Sequence, residues 1–540
     1  MSDTTERGRH DVVVLGAGVS GIYQIKRLTD LGMDAIVLEA DDDLGGTWYR
    51  NRYPGARFDS ESYTYGYSFS QELLDEWSWK ELFSAQPDNL RYLNYVADKF
   101  DLRRHMTFNA RVQSMAWDES ERMWRLNLQD GTFFTARFVI TSIGPLSMPT
   151  LPRYEGMDAF QGQAFHTYFW PKEPVPLPGR RVGVIGTGAT GIQVIAEIAD
   201  KVGSLTVFQR RPNWSTPLHN TALSDEDMNA IRQRYSEIFA NCAASPGGFE
   251  HVPIWGFWDK TAEERRALWD HLYEQPGFAI LASNFAEIFF DEAANRELSE
   301  YIADRIRQRV KDPAVAEKLI PKDHGFGMQR LPLETKYFEA YNRDNVRLVD
   351  LSETPIERFT ASGIQTTAEH HDLDLIVYAT GFDAITGGYD HIDIRGVNGQ
   401  ALRDKWKESP RTYLGVLSNG FPNLLMVAGP QSVSGSSNFP RAIETGVNWL
   451  TGLLQHALDH GHTRIEADPE AEQDWVGEVE RTHERMLFRR SRGWFTGYNS
   501  NVAGHDDGTV RYQAYFGGAP RYAAVIDRAT AEGYPAVHMS

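Results

Sequence analysis

Two runs of glycine in this chain have the spacing of a phosphate cradle. Gly16, Gly18 and Gly21 stand in the order GxGxxG, and Gly186, Gly188 and Gly191 repeat it. In such a turn the glycines let the backbone approach a pyrophosphate, which rests on the first N–H groups of a helix. The residue closing the next strand reads the ribose. After the first run it is Glu39, whose carboxylate accepts ribose hydroxyls and repels a 2′-phosphate, so this site calls for FAD or NAD. After the second run it is Arg210, followed by Arg211. A cation there is the signature of a 2′-phosphate, so this site is expected to hold NADPH. Two nucleotides of different kinds on one chain imply electron transfer between them, and FAD in the first site with NADPH in the second is the economical assignment.

Each cradle needs a buried strand before it and a helix after it. DVVVLG precedes the first and IYQIKRLTDLG follows, with AIVLE as the next strand. RVGVIG, IQVIAEIADKVG and LTVFQRR repeat the order around the second. Unbroken apolar strands alternating with helical periodicity indicate parallel sheets. The fold class is therefore α/β, with two Rossmann-like dinucleotide-binding domains. Residues 216–330 change character to Glu, Arg, Ala and Leu at helical spacing, which reads as a helical insertion. The expected division is an FAD-binding domain from 1–148 and 384–540, and an NADP-binding domain from 149–215 and 331–383.

At 540 residues the chain is too long for one ordinary core. Its net charge of −19 disfavours nucleic acid and anionic membranes as partners. The one cysteine, Cys242, excludes an intrachain disulfide and a redox-active dithiol, and favours a reducing compartment. With no run of about 18 apolar residues, the expectation is a soluble cytoplasmic protein.

These residues resemble the flavoproteins with two dinucleotide-binding domains, and within them the type I Baeyer–Villiger monooxygenases. Four segments carry the resemblance, which covers nearly the whole chain. Phe160, Gly162, His166, Thr167, Trp170 and Pro171 fit the family fingerprint F-x-G-x-x-x-H-[TS]-x-x-W-[PD] at every position. It implies a linker that couples the two domains and acts as their hinge, with His166 as a satisfied structural histidine rather than a proton carrier. Gly45-Gly46-Thr47-Trp48, followed by Tyr53-Pro54-Gly55 and Asp59, resembles the signature that lies along the flavin. Ala379-Thr380-Gly381-Phe382-Asp383 is similar to the family's element near both nucleotides.

The fourth segment is Gly327-Met328-Gln329-Arg330-Leu331. The resemblance makes Arg330 the catalytic arginine and Asp59 the carboxylate that orients it. Before that arginine the family usually has a lysine that contacts the 2′-phosphate. Gln329 departs from this, and Arg211 is the candidate to supply the missing charge. The resemblance also puts Thr187 and Gln193 on the second nucleotide, and Trp494 beside the nicotinamide and substrate. Ser434, Gly435 and Phe439 resemble a variable substrate loop. GYNSN, after Trp494, departs from the Ala-Asn-Ile-Pro-Gly common in the family.

The implied reaction starts with NADPH reducing FAD. Oxygen then adds to give a flavin peroxide, which attacks a ketone to form an ester or lactone, with sulfoxidation as a side activity. The nearest alternative is a heteroatom-oxidising flavin monooxygenase, which has no need of Arg330. A disulfide reductase fails for want of a second cysteine, and a non-catalytic redox sensor has no appended interaction domain to support it.

Overall fold

The computed structural model describes residues 5–433 and 437–540. Ser434 and Gly435, two of the expected substrate-loop residues, lie outside the described residues. Among the described residues two parallel-cored sheets organise the chain, one behind each cradle.

The first sheet runs in the order Asp393–Arg395, Val112–Asp118, Met123–Leu128, Phe133–Thr141, Glu6–Leu15, Ala35–Leu38, Met106–Thr107. Leu424–Met426 pairs in parallel with Phe133–Thr141 as well. Val12, Val13 and Val14 lie at the centre of this sheet and are fully buried. A strand covered on both faces has no polar side, which is why it reads as an unbroken apolar run. The helix Val19–Asp30 covers one face and packs on the long helix Phe439–Asp459. This sheet thus draws strands from both ends of the chain.

The second sheet is parallel throughout, in the order Val346–Asp350, Ser204–Gln209, Arg181–Ile185, Leu375–Tyr378, Gln163–His166. A small antiparallel sheet, Ile356–Thr360, Gly363–Thr366 and His370–Asp372, is inserted before its Leu375–Tyr378 strand. Between Asp225 and Leu319 the chain is helical, including Asp225–Ala244, Ala262–Tyr273 and Glu292–Arg309. Ser224 and Thr261 each open a helix with a reciprocal capping box, meeting the N–H groups that a first turn leaves unpaired.

The fingerprint segment corrects one expectation. It is not a linker over its whole length, because Gln163–His166 pairs in register with Leu375–Tyr378 as the edge strand of the second sheet. His166 is buried at the end of that strand. Its Nε2 donates to the carbonyl of Gly381 at 3.2 Å, and its Nδ1 accepts the Tyr168 N–H at 3.1 Å. Burial pushes its pKa down to about 4, so it is a neutral structural residue. Trp170 is buried next to Phe165, and Phe160 packs on the small sheet's core. Thr167 is buried too, while Pro171 lines a surface depression.

Candidate active site

The two cradles are built alike. Gly16 and Gly186 adopt φ of +101° and +106°, where an L side chain is strained. Cβ atoms on Gly21 and Gly191 would run into the carbonyl oxygens of Gly16 and Gly186. Only hydrogen at the third glycine lets each helix sit so close to its turn. The helices Val19–Asp30 and Ala189–Ile198 both begin at a glycine with no side-chain cap, leaving their first N–H groups for an anion.

A cavity of about 410 Å³ opens over the first cradle. Its walls include Gly16, Gly18, Glu39, Gly46, Thr47 and the turn from Ser142 to Met148. Glu39 is buried; one oxygen accepts the Ala17 N–H at 2.7 Å and the other the Asp41 N–H at 2.9 Å. Burial raises its pKa despite these bonds. A Cβ on Gly46 would come within 2.9 Å of Gly18 Cα, so the two backbones meet at the cavity wall because both lack side chains. Trp48 stands behind that wall, donating from Nε1 to Tyr65 at 2.8 Å and packing edge-on against Phe58. The residues present fit FAD: uncapped helix donors for pyrophosphate, a carboxylate for ribose, and open volume around them.

The second cavity, about 230 Å³, is lined by Gly186, Thr187, Gly188, Arg210, Arg211, Gln329 and the 379–381 turn. Arg210 donates to Ser500. Thr187 fixes the local backbone by donating to the Arg211 carbonyl at 2.9 Å. Gln329 donates to the carbonyl of Arg492 at 3.2 Å. Two guanidinium groups at one end of an uncapped helix cradle fit a nucleotide carrying an extra phosphate.

Arg330 and Asp59 stand 271 residues apart in sequence, yet Arg330 Nη2 donates to Asp59 Oδ1 at 2.6 Å. Arg330 also donates to the Leu331 carbonyl and lies 4.9 Å from the centre of the Phe278 ring. Asp59 is held by the loop from Tyr53, which lies against the second-domain helix. Gly55, at φ +82°, makes that approach possible, since a Cβ there would sit 2.7 Å from the Gln193 carbonyl.

Gln193 is bonded at the boundary with the Asp59 loop: its oxygen accepts from Tyr53 OH at 2.8 Å and its nitrogen donates to the Arg57 carbonyl at 2.9 Å. One turn into the helix it faces the neighbouring domain, and both ends of the amide are taken there. Phe439 starts the long helix Phe439–Asp459 and lines the first cavity. Trp494 packs against a hydrophobic cluster of Met328, Phe488 and Phe495.

Sequence reasoning missed Phe278 under Arg330, and Tyr498, Ser500 and Asn501 around the second cavity. Phe278 sits in the turn before the short helix Ala279–Ala282, with nothing local to mark it. The GYNSN departure was the available signal for the others.

Sheets, cradles and a paired arginine together define a two-nucleotide flavoprotein. Comparison with known proteins agrees. Residues 9–241 match the model of the flavin-binding monooxygenase-like family. The chain is 43% identical over 532 residues to the 2-oxo-Δ3-4,5,5-trimethylcyclopentenylacetyl-CoA monooxygenase of Pseudomonas putida, covering 97% of each. It is 37% identical to a Baeyer–Villiger monooxygenase of Pseudooceanicola batsensis, over 97% of this chain and 95% of the other. Among solved structures it is similar to OTEMO in complex with FAD and NADP, with a TM-score of 0.94 and 41% identity over 99% of this chain and 100% of the other. The chain belongs to the Baeyer–Villiger monooxygenases, within the flavin-binding monooxygenase-like family, and is a flavin-dependent oxidoreductase.

Proposed function

We propose that this enzyme uses FAD, NADPH and molecular oxygen to convert ketones into esters or lactones, with Arg330 as its catalytic cation and Asp59 as the residue that positions it. FAD in the first cavity, reduced by NADPH from the second, supplies the oxygen-activating chemistry. The chain's own residues bind, orient and stabilise charge. Transfer of oxygen to a carbonyl builds negative charge on oxygen, and a permanently charged, planar guanidinium stabilises it without a proton transfer. The 2.6 Å bond between Arg330 and Asp59 carries this reading. It joins the helical region to the flavin-side loop and sets the direction of the guanidinium.

The FAD-binding domain on this reading is 1–148 with 384–540, and the NADP-binding domain is 149–215 with 331–383. His166, at the edge of the second sheet, marks the hinge between them. Among the described residues no helix is long and apolar enough to cross a membrane. The single cysteine, Cys242, is buried, which suits the reducing cytoplasm.

The test is turnover of a ketone panel led by ring ketones, with products identified by mass spectrometry and Arg330→Ala run in parallel. Esters or lactones from the wild type, lost in the variant while NADPH still bleaches the flavin, are the expected result. Oxidation of sulfides or amines alone, retained in Arg330→Ala, would overturn the proposal.

A further inference from the structure

The two arginines of the second cavity are not equivalent. Among the described residues Arg210 has no carboxylate partner and donates only to the Ser500 hydroxyl. Arg211 is already engaged: its Nη1 lies 3.7 Å from Asp323 Oδ2, and its guanidinium lies 5.4 Å from the Tyr498 ring centre. Asp323 is itself held in place. His324, whose side chain is almost wholly buried, donates from Nδ1 to Asp323 Oδ1 at 2.7 Å. That bond holds the Asp323 carboxyl below its ordinary pKa, so it is an anion at neutral pH. The His324 backbone is tied down in turn, its carbonyl accepting from Trp214 Nε1 at 3.0 Å. The segments 210–214 and 323–330 are therefore stitched together, with a third contact from Asn213 Nδ2 to the Arg330 carbonyl at 3.3 Å.

A fixed carboxylate beside a phosphate-reading arginine has two effects. It occupies the guanidinium until a stronger anion displaces it, and it repels that anion as it arrives. Neither effect touches a nucleotide without a 2′-phosphate. We propose that Asp323 is a coenzyme-selectivity residue: a built-in counter-ion on Arg211 that weakens binding of the 2′-phosphorylated coenzyme and leaves the unphosphorylated one alone. The inference rests on the reading of the second cavity as the NADPH site.

Asp323 is half exposed, and pairs of this kind are worth about a kcal/mol or less, so the effect is of modest size. The measurement is calorimetric titration of the FAD-loaded protein with NADP+ and with NAD+. Asp323→Asn is expected to tighten NADP+ binding roughly three- to five-fold, with NAD+ binding unchanged. The gain is expected to disappear in the Arg211→Ala background, because the carboxylate acts through that arginine. Asp323→Ser serves as a second variant if the asparagine form misfolds. Equal tightening or weakening toward both nucleotides, or an unchanged NADP+ affinity, overturns the inference. If Arg210→Ala and Arg211→Ala both leave the NADP+ to NAD+ ratio unchanged, it is the assignment of the cavity that fails. If they collapse the ratio and Asp323→Asn does not sharpen it, the role of Asp323 alone fails.

Discussion

Among the described residues Asp59 is the carboxylate partner of Arg330, and the worth of that pair is testable from both sides. Removing a preorganised charge at a developing oxyanion costs a hundred- to a thousand-fold in rate, about 3–4 kcal/mol. Arg330→Ala is expected to lose at least this much in kcat for ketone oxidation, with flavin reduction by NADPH intact in stopped-flow absorbance. Arg330→Lys keeps the charge but not the planar fork, and is expected to recover only a small part of it. Asp59→Asn leaves the guanidinium in place with a weaker tether, so its kcat is expected to fall between wild type and Arg330→Ala. A variant as active as wild type would remove Asp59 from the mechanism. His166 belongs to the same scale for stability. Its folded pKa of about 4 lies below the ordinary histidine value of about 6.5, so the fold favours the neutral ring. The stabilisation is complete above pH 6.5 and is lost as pH falls from there towards 4. Thermal melts at pH 7.5 and 5 are expected to diverge less for His166→Asn than for wild type.

The cradles are the elements whose roles can be separated. A methyl group on Gly191 meets the Gly186 carbonyl oxygen, so Gly191→Ala has to push the helix Ala189–Ile198 off its turn. It is expected to abolish NADP+ binding in titrations while the purified protein stays yellow. Gly21→Ala does the same to the first turn and is expected to yield protein largely free of flavin, read from the ratio of absorbance at 450 and 280 nm. Both elements were legible in the sequence, because strand, glycines and helix are contiguous and each step needs only local geometry. The fingerprint segment was not. Its residues were recognisable, but an edge strand is made by a partner, here Leu375–Tyr378, some 200 residues away. No local periodicity reports which neighbour a short strand will find.

Across the whole molecule, one side-chain amide bridges the loop that carries Asp59 and the helix Ala189–Ile198. Gln193 holds Tyr53 and the Arg57 carbonyl together, and Tyr53 is buried. Gln193→Ala removes the acceptor of the Tyr53 hydroxyl proton, at a cost of about 1–3 kcal/mol. It also frees the loop that presents Asp59. The expected outcome is a lower melting temperature together with more hydrogen peroxide released per NADPH consumed, at unchanged flavin content. Loss of stability with unchanged peroxide release would make the bridge structural only.

The sequence alone made the two glycine cradles and the helical character of much of 216–330 legible, and it led to the expectation that Glu39 and Arg210 read different riboses. All of these are patterns of near neighbours, dictated by backbone geometry and by the charge of a single side chain. Tertiary structure decided the rest. The family resemblance led to the expectation that Asp59 orients Arg330, but the 2.6 Å bond across 271 positions came from the fold, as did Phe278 beneath that arginine, Tyr53 on Gln193 and Asp323 against Arg211. Such contacts depend on how helices and sheets dock, and docking is settled by the shapes of buried surfaces that no short stretch of sequence contains.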